Sequence, residues 1–385
     1  MLQRAEIARR AAAGLEKFAS QAGDVRVMLG FDGFVDSIMH IVDQRSSASE
    51  YVPVATIARF AEKIAAAAGK SSNYELVTIQ QKLGGNGPIM GNAMIAAGAK
   101  VTYVGGIGHP TIHPVFQDFA DRCEACLSVA ETSYTDAFEF SDGKLMMGKH
   151  DNIKRITPDA IREQIGSGRM VELFQQSKLV GMVNWTMLPY ASDIWKYLLA
   201  EVFPQVKWDK SGKQFVFIDL TDPEKRTTAA VAEALQLLRQ MERFTNVVLG
   251  LNYKEAQRVA EVLELPVAKQ SEPGIEEMAR TIRERLDLFG VCVHPRTGAA
   301  ACMRTGDGVR TARFDGPYVS HPKLSTGAGD NFNAGFCLGL LADLGLEECL
   351  CTGTATSGLY VRQAGSPTLP ELVEFCKNLP LPEQG

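Results

Sequence analysis

The sequence predicts an α/β protein: a doubly wound, mostly parallel sheet flanked by helices, with a small β lid. Three observations carry this. The second half of the chain alternates strand-like and helix-like segments joined by short loops, which implies parallel strands covered on both faces. Two glycine-rich turns, Gly84-Gly85-Asn86-Gly87 and Thr326-Gly327-Ala328-Gly329, run straight into helical patterns. One stretch, 132–149, departs from the alternation and reads as a hairpin around Asp142-Gly143.

The totals exclude several classes. The chain has 385 residues, 45% hydrophobic and 22% charged, with a net charge of −5. Nothing basic forms a nucleic-acid surface, and no apolar window approaches the roughly 18 residues of a membrane span. Residues 1–23 lack the apolar core of a signal segment and read as an amphipathic helix with Ile7, Leu15 and Phe18 turned inward. Eight cysteines lie mostly in apolar contexts, and only Cys123-x-x-Cys126 forms a close pair. No second pair completes a zinc set, so two helix residues one turn apart is the simpler reading and a reducing cytoplasm the expected compartment.

In chain order, Asp24–Leu29 reads as a first strand, ending in Gly30-Phe31-Asp32-Gly33-Phe34-Val35-Asp36. Ligands of open α/β sheets collect at the carboxyl ends of strands, so Asp32 and Asp36 are candidate substrate ligands, or simply a pair of turn aspartates. Residues 37–44 suit a strand, 54–68 a helix and 69–73 a loop. At the first glycine turn, small residues admit a ligand to the backbone, while Asn86 and Asn92 can both donate and accept toward hydroxyls. Neither the dinucleotide fingerprint nor the Walker pattern is present. Lys100–Val104 is a strand. The hairpin at 132–149 is either a lid that excludes water or a surface excursion.

Strands are expected at 178–183, 214–219, 246–251 and 291–293, with helices at 190–203, 227–244, 253–263 and 274–288. Asp219-Leu220-Thr221-Asp222-Pro223 is a polar site at a strand end, or only a turn. Asn252-x-x-Glu255 follows a strand; Glu255 could hold a hydrated Mg²⁺, although the spacing equally suits a helix cap. The proline-bearing tail, 367–385, is expected on the surface.

The last glycine turn is the most informative. Gly327 and Gly329 permit backbone angles closed to other residues. After them Phe332, Phe336 and Leu340 recur at helical spacing. Unpaired N–H groups and the helix dipole make such a start an anion site of phosphate size. Asp330 at its mouth either caps the helix or orients and deprotonates a hydroxyl that attacks phosphorus.

Together these motifs resemble the ribokinase, or phosphofructokinase-B (PfkB), family of carbohydrate kinases. The match rests on Thr326-Gly327-Ala328-Gly329-Asp330 with Phe332, Ala334, Gly335 and Phe336, on Asn252-x-x-Glu255, and on Gly84, Gly85, Asn92 and Ala93. The family signature's leading Asp-Thr is Leu324-Ser325 here, and an Asp common after the strand at 100–104 is replaced by His109-Pro110. The Gly30–Asp36 segment and the long gap before Asn92 are also similar to the ADP-dependent sugar kinases. The resemblance implies a single ribokinase-like domain over 1–385, with a lid from about 37–45 and 132–150. It implies Asp330 as base, with Gly327, Ala328 and Gly329 as anion hole. Asp32, Asp36, Gly85, Asn86 and Asn92 would bind the acceptor. Asn252, Gly298, Thr326, Gly327 and Gly329 would bind nucleotide, and Glu255 would act on Mg²⁺ through water. ATP is the expected donor, with ADP the lesser alternative. K⁺ and a homodimer joined through the lid are further expectations. A nucleoside or sugar-phosphate kinase, or a non-catalytic sensor on the same fold, are the rivals. A sugar-phosphate substrate would need basic groups near the lid, for which Lys149, Lys154 and Arg155 are available.

Overall fold

The chain opens with helix α1 (Leu2–Ala19), and Ile7, Leu15 and Phe18 are buried as their spacing predicts. The computed structural model describes residues 2–211, 213–266 and 272–383. Next come β1 (Arg26–Phe31), β2 (Phe34–Arg45), β3 (Tyr51–Pro53), α2 (Ile57–Ala66), β4 (Leu76–Gly84) and α3 (Asn86–Ala96). They are followed by β5 (Lys100–Gly105), α4 (Gln117–Arg122), β6 (Ala125–Ser128), β7 (Ser133–Phe140) and β8 (Gly143–Lys149). The alternating half holds α5 (Pro158–Gln164), α6 (Ser167–Gln176), β9 (Leu179–Met182), α7 (Ala191–Glu201), β10 (Phe215–Asp219), α8 (Thr228–Met241) and β11 (Asn246–Asn252). It continues through α9 (Tyr253–Val262), α10 (Glu272–Leu286) and β12 (Gly290–His294) to the hairpin β13 (Gly298–Thr305) and β14 (Gly308–Asp315). Three helices close the chain: α11 (Ala328–Leu341), α12 (Leu346–Gln363) and α13 (Leu369–Lys377).

One nine-stranded sheet runs in the order β14-β13-β12-β11-β10-β9-β1-β5-β6. Its strands are parallel from β6 to β12, and β13 and β14 add antiparallel at one edge. Both faces are covered, so the strands alternate between two cores rather than between core and water. Val216 and Ile218 of β10 join one core, with Trp195, Leu235 and Ile282 from α7, α8 and α10. Phe215 and Phe217 join the other, with Leu15, Met94 and Phe336 from α1, α3 and α11.

A second sheet pairs β3, β2, β7 and β8 in that order, with β4 on β2. It draws on more of the chain than 37–45 and 132–150: β4, unforeseen, contributes eight paired positions to β2. Its own small core is Ile41, Val54, Phe60 and Phe138, covered by α2. Asp142 of the hairpin turn accepts a hydrogen bond at 2.7 Å from the Ile57 N–H at the start of α2.

Two expectations are corrected. The tail is not merely surface: α13 carries a capping box at Thr368 and Glu371 and buries Leu369, Leu372, Val373 and Cys376. Proline at the helix start is compatible with this, since its missing N–H is among those left unpaired anyway. Gln384 and Gly385 lie outside the described residues, as does Met1. Cys123 and Cys126 do not share a helix either. Cys123 follows α4 and Cys126 lies in β6.

Candidate active site

The site forms where parallel strands end and helices begin. Asp32 follows β1, Asn184 follows β9, Asp219 ends β10, Asn252 ends β11 and His294 ends β12. The starts of α3, α9 and α11 bring in Asn86, Glu255 and Asp330. This is the crevice in which open α/β sheets hold ligands.

Gly327 caps α11 with φ 89°, in the left-handed region. A Cβ on it would lie 2.7 Å from the Tyr360 hydroxyl, which donates at 2.7 Å to the Thr326 carbonyl. The turn is thereby fastened to α12. Its residues divide two recesses. Thr326 lines one of about 360 Å³, together with Asp36, Lys82, Asn92, Arg122 and Tyr360. Ser325, Ala328 and Gly329 line the other, a cleft of about 310 Å³ that also holds Asn252, His294 and Gly298. His294 stacks on Phe332 with ring centroids 4.3 Å apart, and burial pushes its pKa down to about 4, leaving a neutral flat wall.

Asp330 is buried beside the turn, and Asn86 Nδ2 donates to its Oδ1 at 2.8 Å. Burial raises its pKa well above the usual carboxylate range, and the negative charge of Asp219 adds to the rise. Asp219 accepts from the N–H and hydroxyl of Thr221 and from Asn333 Nδ2 at 2.6 Å. Its pKa is pushed up to about 6, mainly by burial. Glu255 accepts from the Asp222 and Asn252 N–H groups at 3.0 and 2.8 Å. Burial, then Asp219, carry it up to about 8. The negative charge of Asp219 raises both Asp330 and Glu255, and Glu255 adds to the rise of Asp330, since like charges disfavour ionisation and no hydrogen-bond partner of the three is a cation that would offset it.

Asn252 accepts from the Glu255 N–H at 3.0 Å, so the pair forms a true capping box. The capping alternative is therefore realised, and it leaves the Glu255 carboxyl within the field of the Asp219 charge. Among the described residues, no three His, Cys, Asp or Glu side chains converge as direct metal ligands. The acidic set does suit a cation that keeps its water shell, as Mg²⁺ does.

The acceptor-side candidates divide. Asp36 is buried on β2, raised by burial and held down by Lys82 and Lys144; a Cβ on Gly84 would sit 2.6 Å from its carboxyl. Asn92 lines the same recess and accepts from Arg122 at 2.7 Å. Gly85, at φ 101°, caps α3. Asp32 departs from expectation. It has no exposed surface, and its carboxylate accepts from the Asn86 and Gly87 N–H groups and from Asn184 Nδ2. A carboxylate satisfied inside the protein has no oxygen to offer a ligand, so Asp32 is corrected from substrate ligand to structural anchor.

The sequence marks Asp219 only within a polar strand end that could equally be a turn, and its place at the end of β10 is the signal. Two residues carry no mark in the sequence as site members. Asn184 and Tyr360 carry no local signal, since each is defined by a partner more than 30 residues away. The basic groups near the lid are largely committed: Lys149 pairs with Asp136 and Lys154 with Asp151, leaving Arg155 exposed. No helix among the described residues is long and apolar enough to cross a membrane.

The family model described as prokaryotic ketohexokinase matches residues 4–379. A ketohexokinase of Haloferax volcanii is 29% identical over 354 residues, covering 91% of this chain and 90% of the relative. Among solved structures, Arabidopsis thaliana ribokinase complexed with ribose and ATP aligns with a TM-score of 0.64 at 15% identity, over 92% of this chain and 99% of its own. Phosphofructokinase-2 of Escherichia coli, with substrates and products, aligns with a TM-score of 0.63 at 13% identity, over 92% and 99%. These two likenesses show the ribokinase fold.

Proposed function

The chain belongs to the prokaryotic ketohexokinase family of PfkB-type carbohydrate kinases, and from that premise we propose that it transfers the γ-phosphate of ATP to a hydroxyl of a ketohexose, with Asp330 as the base. The observation that carries this reading is the position of the turn. The turn that opens α11, with Asp330 in its first turn, separates a recess holding Asp36 from a cleft walled by His294 and Asn252. The sugar occupies the first recess and the nucleotide the second.

The acceptor hydroxyl bonds to Asp330, which takes its proton as phosphorus is attacked. The amides of Gly327 and Gly329 meet the transferring group, since helix starts favour anions, while the Ala328 N–H is bonded to the Ser325 carbonyl at 3.2 Å. Asp36 and Asn92 hold sugar hydroxyls. Asn252 and Gly298 border the nucleotide. Mg²⁺, held through water by Glu255 with Asp219 nearby, would neutralise phosphate charge when bound. The second sheet serves as lid, keeping water from the reacting groups.

A coupled assay of ADP release across ketohexoses, aldohexoses, nucleosides and sugar phosphates tests the proposal. Turnover is expected with a ketohexose, and Asp330→Asn should lose about three decades of it while both substrates still bind. Turnover confined to nucleosides or sugar phosphates would overturn the substrate. Near-normal turnover by Asp330→Asn would overturn the base.

A further inference from the structure

A carboxylate without exposed surface must find all its hydrogen bonds inside the protein or remain a costly burial. Asp32 finds them at the start of α3. Its Oδ1 accepts from the Gly87 N–H at 2.9 Å and its Oδ2 from the Asn86 N–H at 2.8 Å. Helices are ordinarily capped by the residue that precedes them. Here that residue is Gly85, which has no side chain, and the cap comes from the end of β1. The approach needs glycine on both sides. A Cβ would lie 3.1 Å from the Asp32 carboxylate on Gly85 and 2.9 Å from it on Gly87.

Two further bonds show what this anchor holds. Asn184 sits at φ 61°, a conformation non-glycine residues rarely keep without cause, and donates to Asp32 Oδ2 at 2.6 Å. On the far side, Asn86 has its backbone fixed by Asp32 and donates its Nδ2 to Asp330 Oδ1 at 2.8 Å. The path from β9 through β1 and α3 to α11 is thus a continuous row of hydrogen bonds.

We infer that Asp32 is a positioning residue: clasped by Asn184, it acts on the base through Asn86, fixing which oxygen of Asp330 faces the acceptor. Oδ1 is occupied by the Asn86 amide, so Oδ2 takes the hydroxyl proton. Asn86 then serves the base at least as much as the sugar, and its loss lowers turnover rather than sugar affinity. This rests on the base role given to Asp330.

The test compares Asn86→Ala and Asn184→Ala in the wild-type and Asp330→Asn backgrounds, using steady-state kinetics with a ketohexose and ATP. Asn184→Ala keeps the Asp32 carboxylate and both backbone bonds, so it probes the row even if α3 is disturbed in Asn86→Ala. In the wild-type background kcat should fall about tenfold or more with both KM values within about threefold, because a base displaced by about an ångström loses up to two decades. In the Asp330→Asn background the same changes should cost almost nothing, as expected of groups acting through one another. Equal losses in both backgrounds would overturn the inference, as would a raised sugar KM with kcat unchanged. Full turnover by Asp330→Asn alone would instead overturn the base assignment, and the two failures are therefore distinguishable.

Discussion

Raising the pH should destabilise this protein in the absence of divalent cation, and the acidic cluster says by how much. Asp219 rises from an ordinary 3.8 to about 6 on folding, and Glu255 from 4.5 to about 8. Between the ordinary and folded values, the folded protein holds a proton that the unfolded chain has released. Stability is then fully present below the ordinary carboxylate range and is lost as the pH climbs through about 6 and then about 8. At about 1.36 kcal/mol per pKa unit, Asp219 alone accounts for about 3 kcal/mol. Above about pH 5 only about one of those units, about 1.4 kcal/mol, remains for Asp219, and the rest comes from Glu255; because the Asp219 charge is part of what raises Glu255, the two overlap, and about 3 kcal/mol is the loss expected from about pH 5 to pH 8.5. For a chain of this size that is roughly 5 °C in Tm. The assay is thermal unfolding between about pH 5 and pH 8.5 in chelator, repeated with Mg²⁺, which should flatten the profile by taking the place of the protons. Asp219→Asn is the clean control. Asn333 Oδ1 is buried without a partner, so the Asn333 amide can turn over and accept from the introduced side-chain amide in place of donating to the carboxylate. The slope should shrink in this variant. A Tm that stays flat or rises across the window in chelator would refute the reasoning, as would a slope unchanged in Asp219→Asn.

Three further outcomes follow from the site. Gly327→Ala places a Cβ at φ 89° and 2.7 Å from the Tyr360 oxygen, so it should cost about 1–2 kcal/mol in denaturant unfolding and lower turnover more than tenfold. Tyr360→Phe removes the bond to the Thr326 carbonyl and should cost about 1 kcal/mol, with a smaller loss of kcat than Gly327→Ala shows in the same assay. Asp36→Asn keeps the shape of a buried group but weakens a charge-assisted bond, so the sugar KM should rise about ten- to a hundredfold while the ATP KM holds.

Much of the architecture was written locally. The apolar runs of β10 and β11, and the helices that follow them, needed only periodicity to be placed, and the glycine turn at 327–329 announced the start of α11 by its composition. Less legible were elements whose identity depends on what covers them. β4 reads as a polar stretch because most of it stays exposed in the second sheet, and α13 hides behind prolines that open a helix as readily as they end one. The site was legible where its chemistry sits inside a motif, as with Asp330, Asn252 and Glu255. It was illegible where a role is conferred from elsewhere. Asp32 and Asp36 look alike in the sequence, four residues apart, yet one is sealed against the start of α3 and the other lines an open recess.

The sequence by itself therefore determined the strands, the helix starts and the residue types at each strand end, because these follow from backbone freedom and hydrophobic period. Tertiary structure decided which of those residues share a charge environment. Only the convergence of β10, α9 and α11 puts Asp219, Glu255 and Asp330 together, and Coulomb interaction depends on distance through space, not on separation along the chain.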